Sequence, residues 1–396
     1  MSDINVKESF DHFSQYYAQN AFEIWKKLQN ECPIASSRKY RNMWVPTKYS
    51  DIEEIARDTD TFSSRSPVVA EFGAMADFGL QVPPISADPP YHTSFRRLLL
   101  PFFAPSRIEA LKDTVVYLAN DLIDSFIDNG EFDAALDYAQ HIPVKIISEM
   151  LGIRDEDGDQ FRMWVHNFLE LAPTDITVAA TSLLQFFEYF QKQIEDRKIN
   201  PKDDLITFLI NAQIDDRLLS DQEIFGGCLL LLLAGIDTTW SAIGASIWHL
   251  ASNLEDQRSL RNDPDILGSA IEEFLRAFAP VTMAREVTKD VDFKGCPMKK
   301  GDPLLLPFPA ANRDPEAFEN ADKIILNRER NRHFAFGVGI HRCLGSNLAR
   351  MELSVAIETL IVRLPEFELK NPNDVKWSVG QVRGPRKLEI KFKVNR

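Results

Sequence analysis

Apolar residues recur at helical spacing through most of residues 90–280. This spacing gives each segment one hydrophobic face and predicts amphipathic helices, most clearly at residues 107–128, 144–153 and 182–198. Residues 225–236 are apolar almost throughout, which favours a helix that is buried on all sides. A last helix is predicted for residues 344–363.

The pattern changes after Pro280, where short apolar runs are bounded by Gly and Pro. Strands are predicted at the following stretches: residues 40–45, 281–287, 291–295, 302–308 and 387–394. Residues 62–90 are rich in Pro and Gly without a clear period, and a loop of that length in a compact domain is usually functional. The fold class that follows is mainly α with a minor β portion.

Domain organisation follows from the absence of any Gly/Ser-rich or Pro-rich linker in the 396 residues. We expect a single domain over residues 1–396. Its small β-rich part is expected near residues 36–50 and 280–310 plus the C-terminal strands. Its large helical part is expected at residues 90–280 and 344–364.

Composition and charge narrow the class of protein. The formal net charge of −14 argues against nucleic-acid binding, which needs a basic footprint. The apolar run at residues 225–236 is too short to span a bilayer, and the polar first residues do not resemble a secretory signal. The four cysteines form neither a CxxC pair nor a zinc pattern. We therefore expect a reduced, cytoplasmic protein with no membrane or nucleic-acid partner.

One cysteine stands in an unusual segment, FAFGVGIHRCLG, directly before the last predicted helix. The N-terminus of a helix carries partial positive charge, so Cys343 is expected to be biased towards thiolate. Gly337, Gly339 and Gly345 allow a tight turn and a close approach of the backbone to a large flat group. An inert buried cysteine and a nucleophile assisted by His341 are alternative interpretations, although no nearby acid orients His341.

This segment resembles the haem-binding signature of the cytochrome P450 family. Every fixed position of that signature is met, by Phe336, Gly339, His341, Cys343 and Gly345. The resemblance implies the cytochrome P450 fold, with a long central helix over haem b and the cysteine-ligand loop beneath it. It also implies that Cys343 is the axial ligand of the haem iron. The residues that it places against the haem are Phe336, Gly337 and Gly345.

The predicted apolar helix contains an acid, Asp237, and a threonine, Thr238, which are unexpected in a buried helix. A buried Asp is costly unless it is paired or functional, and Thr238 can bond the carbonyl of Ala234 and kink the helix beside Gly235. The stretch is similar to the family motif A/G-G-x-D/E-T. The resemblance assigns oxygen stabilisation to Thr238 and the proton relay to Asp237, with Ala234 and Gly235 beside the cofactor. Members that use peroxide directly often lack this pair, so O2 is the implied co-substrate.

A second family element is the pair Glu273 and Arg276, which stand three apart on one helix face. The pair resembles the ExxR element, whose role is a structural, charge-assisted network. The resemblance completes the network with Arg328, and Arg330 or Arg332 are alternatives.

A third element is formed by His92 and Arg96, which stand four apart and resemble the family's HxxxR element. Haem carries two propionates, which need cationic or hydrogen-bonding partners. The resemblance therefore implies that His92, Arg96, Arg285 and His341 bind the haem propionates.

Together these resemblances imply a haem-thiolate monooxygenase that inserts one oxygen atom of O2 into a small-to-medium organic substrate by hydroxylation or oxidative demethylation. The chain has no flavin, iron–sulfur or nicotinamide module, so a separate ferredoxin and ferredoxin reductase are the expected electron donors. We expect a basic patch for the ferredoxin on the cysteine side, formed by Arg97, Arg107, Arg342 and Arg350.

The substrate pocket is expected between the long loop, the apolar helix, the segment after Pro280 and the turn at residues 379–384. Its predicted lining residues are Leu230, Ala234, Val281, Met283 and Val382; ordinary core packing is the alternative for each. Two other protein classes remain open. A haem-binding sensor or carrier without monooxygenase activity would not need Asp237 and Thr238, and a thiol hydrolase would need a base and no haem.

Overall fold

The structure is a computed structural model that describes residues 10–69, 80–172 and 174–394. The longer helices, numbered in chain order, are α1 (Gln15–Glu31), α2 (Tyr49–Arg57), α3 (Tyr91–Leu99), α4 (Pro105–Phe126), α5 (His141–Leu151), α6 (Gly158–His166), α7 (Ile176–Ile199), α8 (Leu205–Asn211), α9 (Asp221–Ser252), α10 (Leu254–Asn262), α11 (Leu267–Ala277) and α12 (Ser346–Arg363). A π-helical turn, Asn167–Leu171, follows α6. The last predicted helix, α12, begins at Ser346, which is two residues later than the predicted start at residue 344.

The strands gather into one larger sheet and several small ones. They are β1 (Ile34–Ser37), β2 (Met43–Pro46), β3 (Phe62–Ser63), β4 (Glu131–Asp133), β5 (Gln213–Ile214), β6 (Arg217–Leu218), β7 (Thr282–Val287), β8 (Val291–Phe293), β9 (Cys296–Met298), β10 (Pro303–Pro307), β11 (Phe367–Leu369), β12 (Lys376–Trp377), β13 (Pro385–Lys387) and β14 (Glu389–Phe392). The larger sheet has the order β1-β2-β10-β7-β3, and β2 and β10 are its parallel pair. The mainly α fold class with a minor β portion is confirmed.

Helix α9 runs through the middle of the helical part. It begins with a capping box, in which the Ser220 and Glu223 side chains each accept from the other residue's backbone N–H. Its length and composition would allow it to cross a bilayer, but 78% of its most apolar window is buried inside the fold. It packs against α5, α7, α12 and the strand β13. Its apolar character therefore reflects burial in the core, as the sequence predicts.

The strand predicted at residues 40–45 is wrong in its first half. Tyr40, Arg41 and Asn42 have φ values of 51°, 64° and 61°, which form the turn of a hairpin. The two strands of that hairpin are β1 and β2, which pair antiparallel. Left-handed backbone at three successive residues other than Gly has no local sequence signal, which explains the error. Residues 70–79 of the predicted long loop lie outside the described residues.

Candidate active site

The loop before α12 is shaped by two glycines in left-handed backbone. Gly337 has φ 67° and Gly339 has φ 78°, values that residues with a Cβ rarely adopt. A Cβ on Gly339 would also lie 2.8 Å from the carbonyl oxygen of Ala56. The Cys343 N–H donates to the Phe336 carbonyl oxygen at 2.7 Å and closes the loop. The position of Cys343 is therefore fixed by the backbone.

The Cys343 side chain lines a central cavity. Burial raises the pKa of the Cys343 thiol, and the Gly345 N–H and the Arg96 and Arg342 cations oppose this rise. Desolvation is the largest influence on this pKa and opposes the bias towards thiolate that the sequence predicts for Cys343. A bound metal cation deprotonates a thiol ligand outright, so the sulfur suits a metal better than it suits free nucleophilic attack.

One wall of this cavity carries a cluster of imidazole and guanidinium groups. The His92 and His341 rings lie 4.3 Å apart between centroids, and His341 Nε2 is 2.8 Å from Ser64 Oγ. Burial and the nearby Arg285 cation lower the pKa of His341 to about 2, so this imidazole is neutral. Arg96 Nη2 donates to the Arg342 carbonyl oxygen at 2.7 Å. The four predicted propionate partners therefore lie together, as the sequence expects.

This cluster has buried polar atoms without partners. Among the described residues, both ring nitrogens of His92 and Nε of Arg285 have no hydrogen-bond partner. A buried donor without an acceptor costs about 1–3 kcal/mol, so these groups favour a ligand that brings acceptors. The carboxylates of a flat prosthetic group are such acceptors, and charge-assisted bonds from Arg are strong. The residues present thus fit a haem with its propionates on this wall.

Helix α9 forms part of the cavity with Ala234, Gly235 and Thr238. Thr238 Oγ1 donates to the Ala234 carbonyl oxygen at 2.7 Å, which is the predicted bond, but the helix is continuous and the expected kink does not break it. Gly235 serves helix packing as well as the cavity. A Cβ there would lie 2.6 Å from Ile147 Cγ1 of α5. The Ile147 side chain therefore occupies the space beside Gly235.

Asp237 has a partner that the sequence did not reveal. Its side chain is 1% exposed, and Oδ1 and Oδ2 accept from Arg386 Nη2 at 2.8 and 2.9 Å. Burial raises the pKa of Asp237 to about 6, and Arg386 opposes this rise. Arg386 lies 149 residues further along the chain, so no spacing rule could have identified it.

A second missed acid is Glu352 of α12, which lines the cavity and is 1% exposed. Burial raises the pKa of Glu352 to about 8, and a hydrogen bond with Thr239 opposes this rise. Glu352 Oε1 has no partner in the part of the chain that the structure describes. A buried acid within an apolar helix pattern could have been noticed in the sequence, but nothing local links it to Thr239.

The predicted structural network lies behind this site. Arg276 and Glu273 are fully buried and form two hydrogen bonds of 2.8 Å. Arg328 Nε donates to Glu273 Oε2 at 2.9 Å, so of the three arginines considered, Arg328 contacts the acid. Arg276 also donates to the carbonyl oxygens of Asn312 and Ala321, both at 2.8 Å. The network therefore ties α11 to the chain that leads into the cysteine loop.

The cavity itself has a volume of about 280 Å³. Every residue predicted to line the substrate pocket lies on its wall: Leu230, Ala234, Val281, Met283 and Val382. Gln381 is a polar group on the same wall. Its Nε2 donates to the Pro67 carbonyl oxygen at 3.2 Å and lies 3.4 Å from Met283 Sδ. Its amide oxygen accepts no hydrogen bond from the described residues.

The four arginines predicted to form a basic patch differ in their exposure. Arg97, Arg107 and Arg342 are exposed. Arg350 is half-buried and pairs with Glu272 at 2.6 and 2.8 Å. Arg350 is therefore not a free surface cation, and the prediction that it belongs to the patch is wrong.

Comparison with known proteins gives consistent results. The family model described as cytochrome P450 matches residues 159–392. The chain is 32% identical to the polyketide biosynthesis cytochrome P450 PksS of Bacillus subtilis, over 94% of this chain and 95% of that protein. It is 33% identical to the mycinamicin IV hydroxylase/epoxidase of Micromonospora griseorubida, over 92% and 94%. The crystal structure of the myxobacterial cytochrome P450 CYP267B1 in complex with myristic acid superposes with a TM-score of 0.89, at 30% identity, over 96% of this chain and 98% of that one.

Proposed function

Because the chain belongs to the cytochrome P450 family, whose members are haem-dependent monooxygenases, we propose that it hydroxylates or oxidatively demethylates a small-to-medium organic substrate. A separate ferredoxin and its reductase would supply the electrons. The observation that carries the proposal is a pair of buried groups with unpartnered nitrogens: Arg285, which lines the cavity together with Cys343, and His92, which packs against the cavity residue His341. We further propose that residues 1–396 act as one cytoplasmic domain.

Haem b is the cofactor of this family, and when bound it supplies the iron at which O2 is activated. The residues that would hold it are those of the cavity wall. Cys343 would bind the iron, and Phe336, Gly337 and Gly345 would lie against the ring. The residues that would bind the propionates are His92, Arg96, Arg285 and His341. His341 can donate a ring N–H to a propionate, while the two arginines supply positive charge.

On the opposite side of the site, Thr238 would present its hydroxyl to the cavity. Its Oγ1–H is donated to Ala234, which leaves the oxygen lone pairs free to accept a further hydrogen bond. Asp237 is the proposed proton carrier, since a carboxyl group whose pKa is about 6 can gain and lose a proton near neutral pH. Ala234 and Gly235 keep this side narrow and apolar, which limits the water that enters.

A two-stage experiment tests this proposal. The dithionite-reduced protein under CO should show the strongly red-shifted Soret band of a thiolate-ligated haem, and Cys343→Ala should lose it. A sensor or carrier would share this band, so the second stage measures product formed per NADH with ferredoxin and reductase. Thr238→Ala should lower this yield about tenfold or more.

Ser246→Ala is the matched control for Thr238→Ala. Ser246 Oγ donates to the Ala242 carbonyl oxygen at 2.8 Å in the same helix, so the variant loses the same kind of bond away from the proposed chemistry. The monooxygenase proposal fails if the red-shifted band is absent. The role of Thr238 fails if both variants couple NADH to product as wild type does.

The substrate class follows from the cavity wall. Leucine, valine, proline and phenylalanine side chains supply most of it, so the substrate needs a large apolar portion. The Gln381 amide is held by Pro67 through its nitrogen, which leaves its oxygen to accept from a donor on the substrate. We therefore propose a substrate that combines an apolar body with one hydroxyl or amine group.

A spin-shift screen of paired compounds tests this substrate class. Alcohols should bind about tenfold more tightly than their methyl ethers, because the ethers leave the Gln381 oxygen without a donor. Gln381→Met should remove most of that difference. Equal affinity for alcohol and ether in wild type would contradict the role of Gln381.

A further inference from the structure

Arg386 lies between two buried carboxylates. Its Nη2 is 2.8 Å from Asp237 Oδ1 and 2.9 Å from Oδ2. Its Nε is 2.6 Å from Glu170 Oε1, and its Nη1 is 3.0 Å from Ser241 Oγ. The guanidinium also lies over the Trp240 ring, 4.3 Å from its centroid. One cation therefore serves two acids, of which Asp237 is 1% and Glu170 9% exposed.

The position of Arg386 is built by close packing of β13 on α9. A Cβ on Gly384 would lie 2.6 Å from Ser241 Cα, and a Cβ on Gly244 would lie 2.8 Å from Pro385 Cγ. Two glycines, Gly244 in α9 and Gly384 directly before β13, thus allow the strand to reach the helix beside Asp237. The close contact of the two backbones fixes the position of Arg386, so its guanidinium lies beside Asp237 and is not on a mobile surface side chain.

The second acid belongs to a different element. Glu170 lies in the π-helical turn after α6, and His166 lies at the end of α6. His166 Nδ1 is 3.2 Å from Glu170 Oε1, and the His166 side chain is 42% exposed. The hydrogen bond with Glu170 raises the pKa of His166. The cluster thus runs from a solvent-exposed imidazole to the buried Asp237.

The charges of this cluster balance only when His166 is protonated. His166 and Arg386 then carry two positive charges, opposite the two negative charges of Glu170 and Asp237. Loss of the His166 proton leaves one guanidinium between two carboxylates, which then compete for it. The groups that act on Asp237 are Arg386, Glu170 and His166, and each belongs to this cluster.

We propose that Arg386 is a positioning residue that keeps Asp237 ionised. Glu170 and His166 set the strength of the ion pair between Arg386 and Asp237. This inference rests on the proposed role of Asp237 as proton carrier. A guanidinium does not release its own protons in proteins, so no proton passes through Arg386. When Arg386 shifts towards Glu170, an Asp237 oxygen takes up a proton from a hydronium ion of the solvent, which leaves water, and Asp237 returns to the carboxylate when it passes that proton on.

The direct test measures the protonation of Asp237 by infrared spectroscopy of the holoenzyme. The carboxylic C=O band that disappears in Asp237→Asn identifies the group, and its intensity is followed against pH. In Arg386→Gln the midpoint should move up by about one pH unit or more, because the opposing cation is lost. In Glu170→Gln the midpoint should move down, because Arg386 then serves Asp237 alone. His166→Gln should move it up.

The matched control is Arg258→Gln. Arg258 forms a similar two-bond pair with Glu366, at 2.6 and 2.8 Å, but on the surface, so this variant should leave the Asp237 midpoint unchanged. Arg386→Lys keeps the charge and serves as the second variant if Arg386→Gln folds poorly; its midpoint should lie between those of wild type and Arg386→Gln. Unchanged midpoints in the Arg386 and Glu170 variants would overturn the inference.

A kinetic readout separates this inference from the proposed function. Product formed per NADH should fall in Asp237→Asn if Asp237 carries protons, and its pH profile should shift in Glu170→Gln in the same direction as the infrared midpoint. Full coupling in Asp237→Asn would contradict the role of Asp237 as proton carrier. The infrared midpoints would still decide whether Arg386 controls its ionisation.

Discussion

Glu352 shows how burial changes the acid–base behaviour of a single residue. Its pKa is raised from 4.5 to about 8, so the folded chain binds this proton more tightly than the unfolded chain does. Linkage then requires the free energy of unfolding to fall as the pH rises from about 4.5 to about 8. Below this range the acid is protonated in both states, and it contributes no pH dependence.

Glu352→Gln should remove this dependence while it keeps the shape of the side chain. At pH 9 we expect the variant to be more stable than wild type by about 5 kcal/mol, and at pH 4 the two should be nearly equal. Urea unfolding of the purified protein across this range measures the difference. Glu358→Gln, at an exposed position of the same helix, is the control and should follow wild type throughout. Parallel curves for wild type and Glu352→Gln would contradict the assigned protonation.

At the scale of residues, the sequence could predict contacts only where the partners are close together in the chain. The spacing from Phe336 to Gly345 and the Thr238–Ala234 bond depend on residues within a few positions, and the structure brings these groups together as expected. The partners that were missed are distant in the chain. Ser64 and His341 are 277 residues apart, and a single sequence contains no signal for such a contact.

At the scale of elements, the packing of α9 on α5 depends on Gly235. Alanine has the higher helix propensity, by about 1 kcal/mol. However, the added Cβ would lie 2.6 Å from Ile147 Cγ1, and Ile147 is 3% exposed and tightly packed. Overpacking of a core typically costs about 1–3 kcal/mol. The steric cost should therefore exceed the gain in propensity.

Gly235→Ala should destabilise the fold by about 1–2 kcal/mol, as measured by urea unfolding. In an Ile147→Ala background the same change should become stabilising, because the obstructing side chain is gone. Gly268→Ala in α11 is the control, since a Cβ there meets no atom within 4 Å, and it should be neutral or slightly stabilising. The packing argument fails if Gly235→Ala has the same effect in both backgrounds.

Most of the helices and strands could be predicted from the sequence, and the errors in their prediction have local causes. The buried helix α9, the late strands and the amphipathic helices follow from apolar periodicity, which the chain keeps because each element has a buried face. The hairpin turn at Tyr40 was missed because left-handed backbone at three successive residues other than Gly has no local sequence signal. The pairing order β1-β2-β10-β7-β3 joins strands of residues 34–63 to strands of residues 282–307, and no local pattern encodes it.

At the scale of the whole molecule, a net charge of −14 contrasts with the exposed arginines Arg97 and Arg342 at the cysteine loop. Arg342 directly precedes Cys343, and Arg97 directly follows Arg96, which donates to the Arg342 carbonyl oxygen. An acidic electron donor would be repelled by most of the surface and attracted to this region, and such steering acts mainly on the association rate. The proposed ferredoxin should therefore dock at Arg97, Arg107 and Arg342, without Arg350.

Reversal of charge tests this docking surface. Arg97→Glu combined with Arg342→Glu should slow reduction by an acidic ferredoxin about tenfold at low ionic strength, and the difference should shrink as salt screens the charges. Stopped-flow reduction under CO at several salt concentrations measures it. Arg154→Glu, at a side chain that is 74% exposed in the turn between α5 and α6, is the control for the added negative charge. Equal slowing by Arg154→Glu would show that overall charge, and not a local surface, governs the encounter.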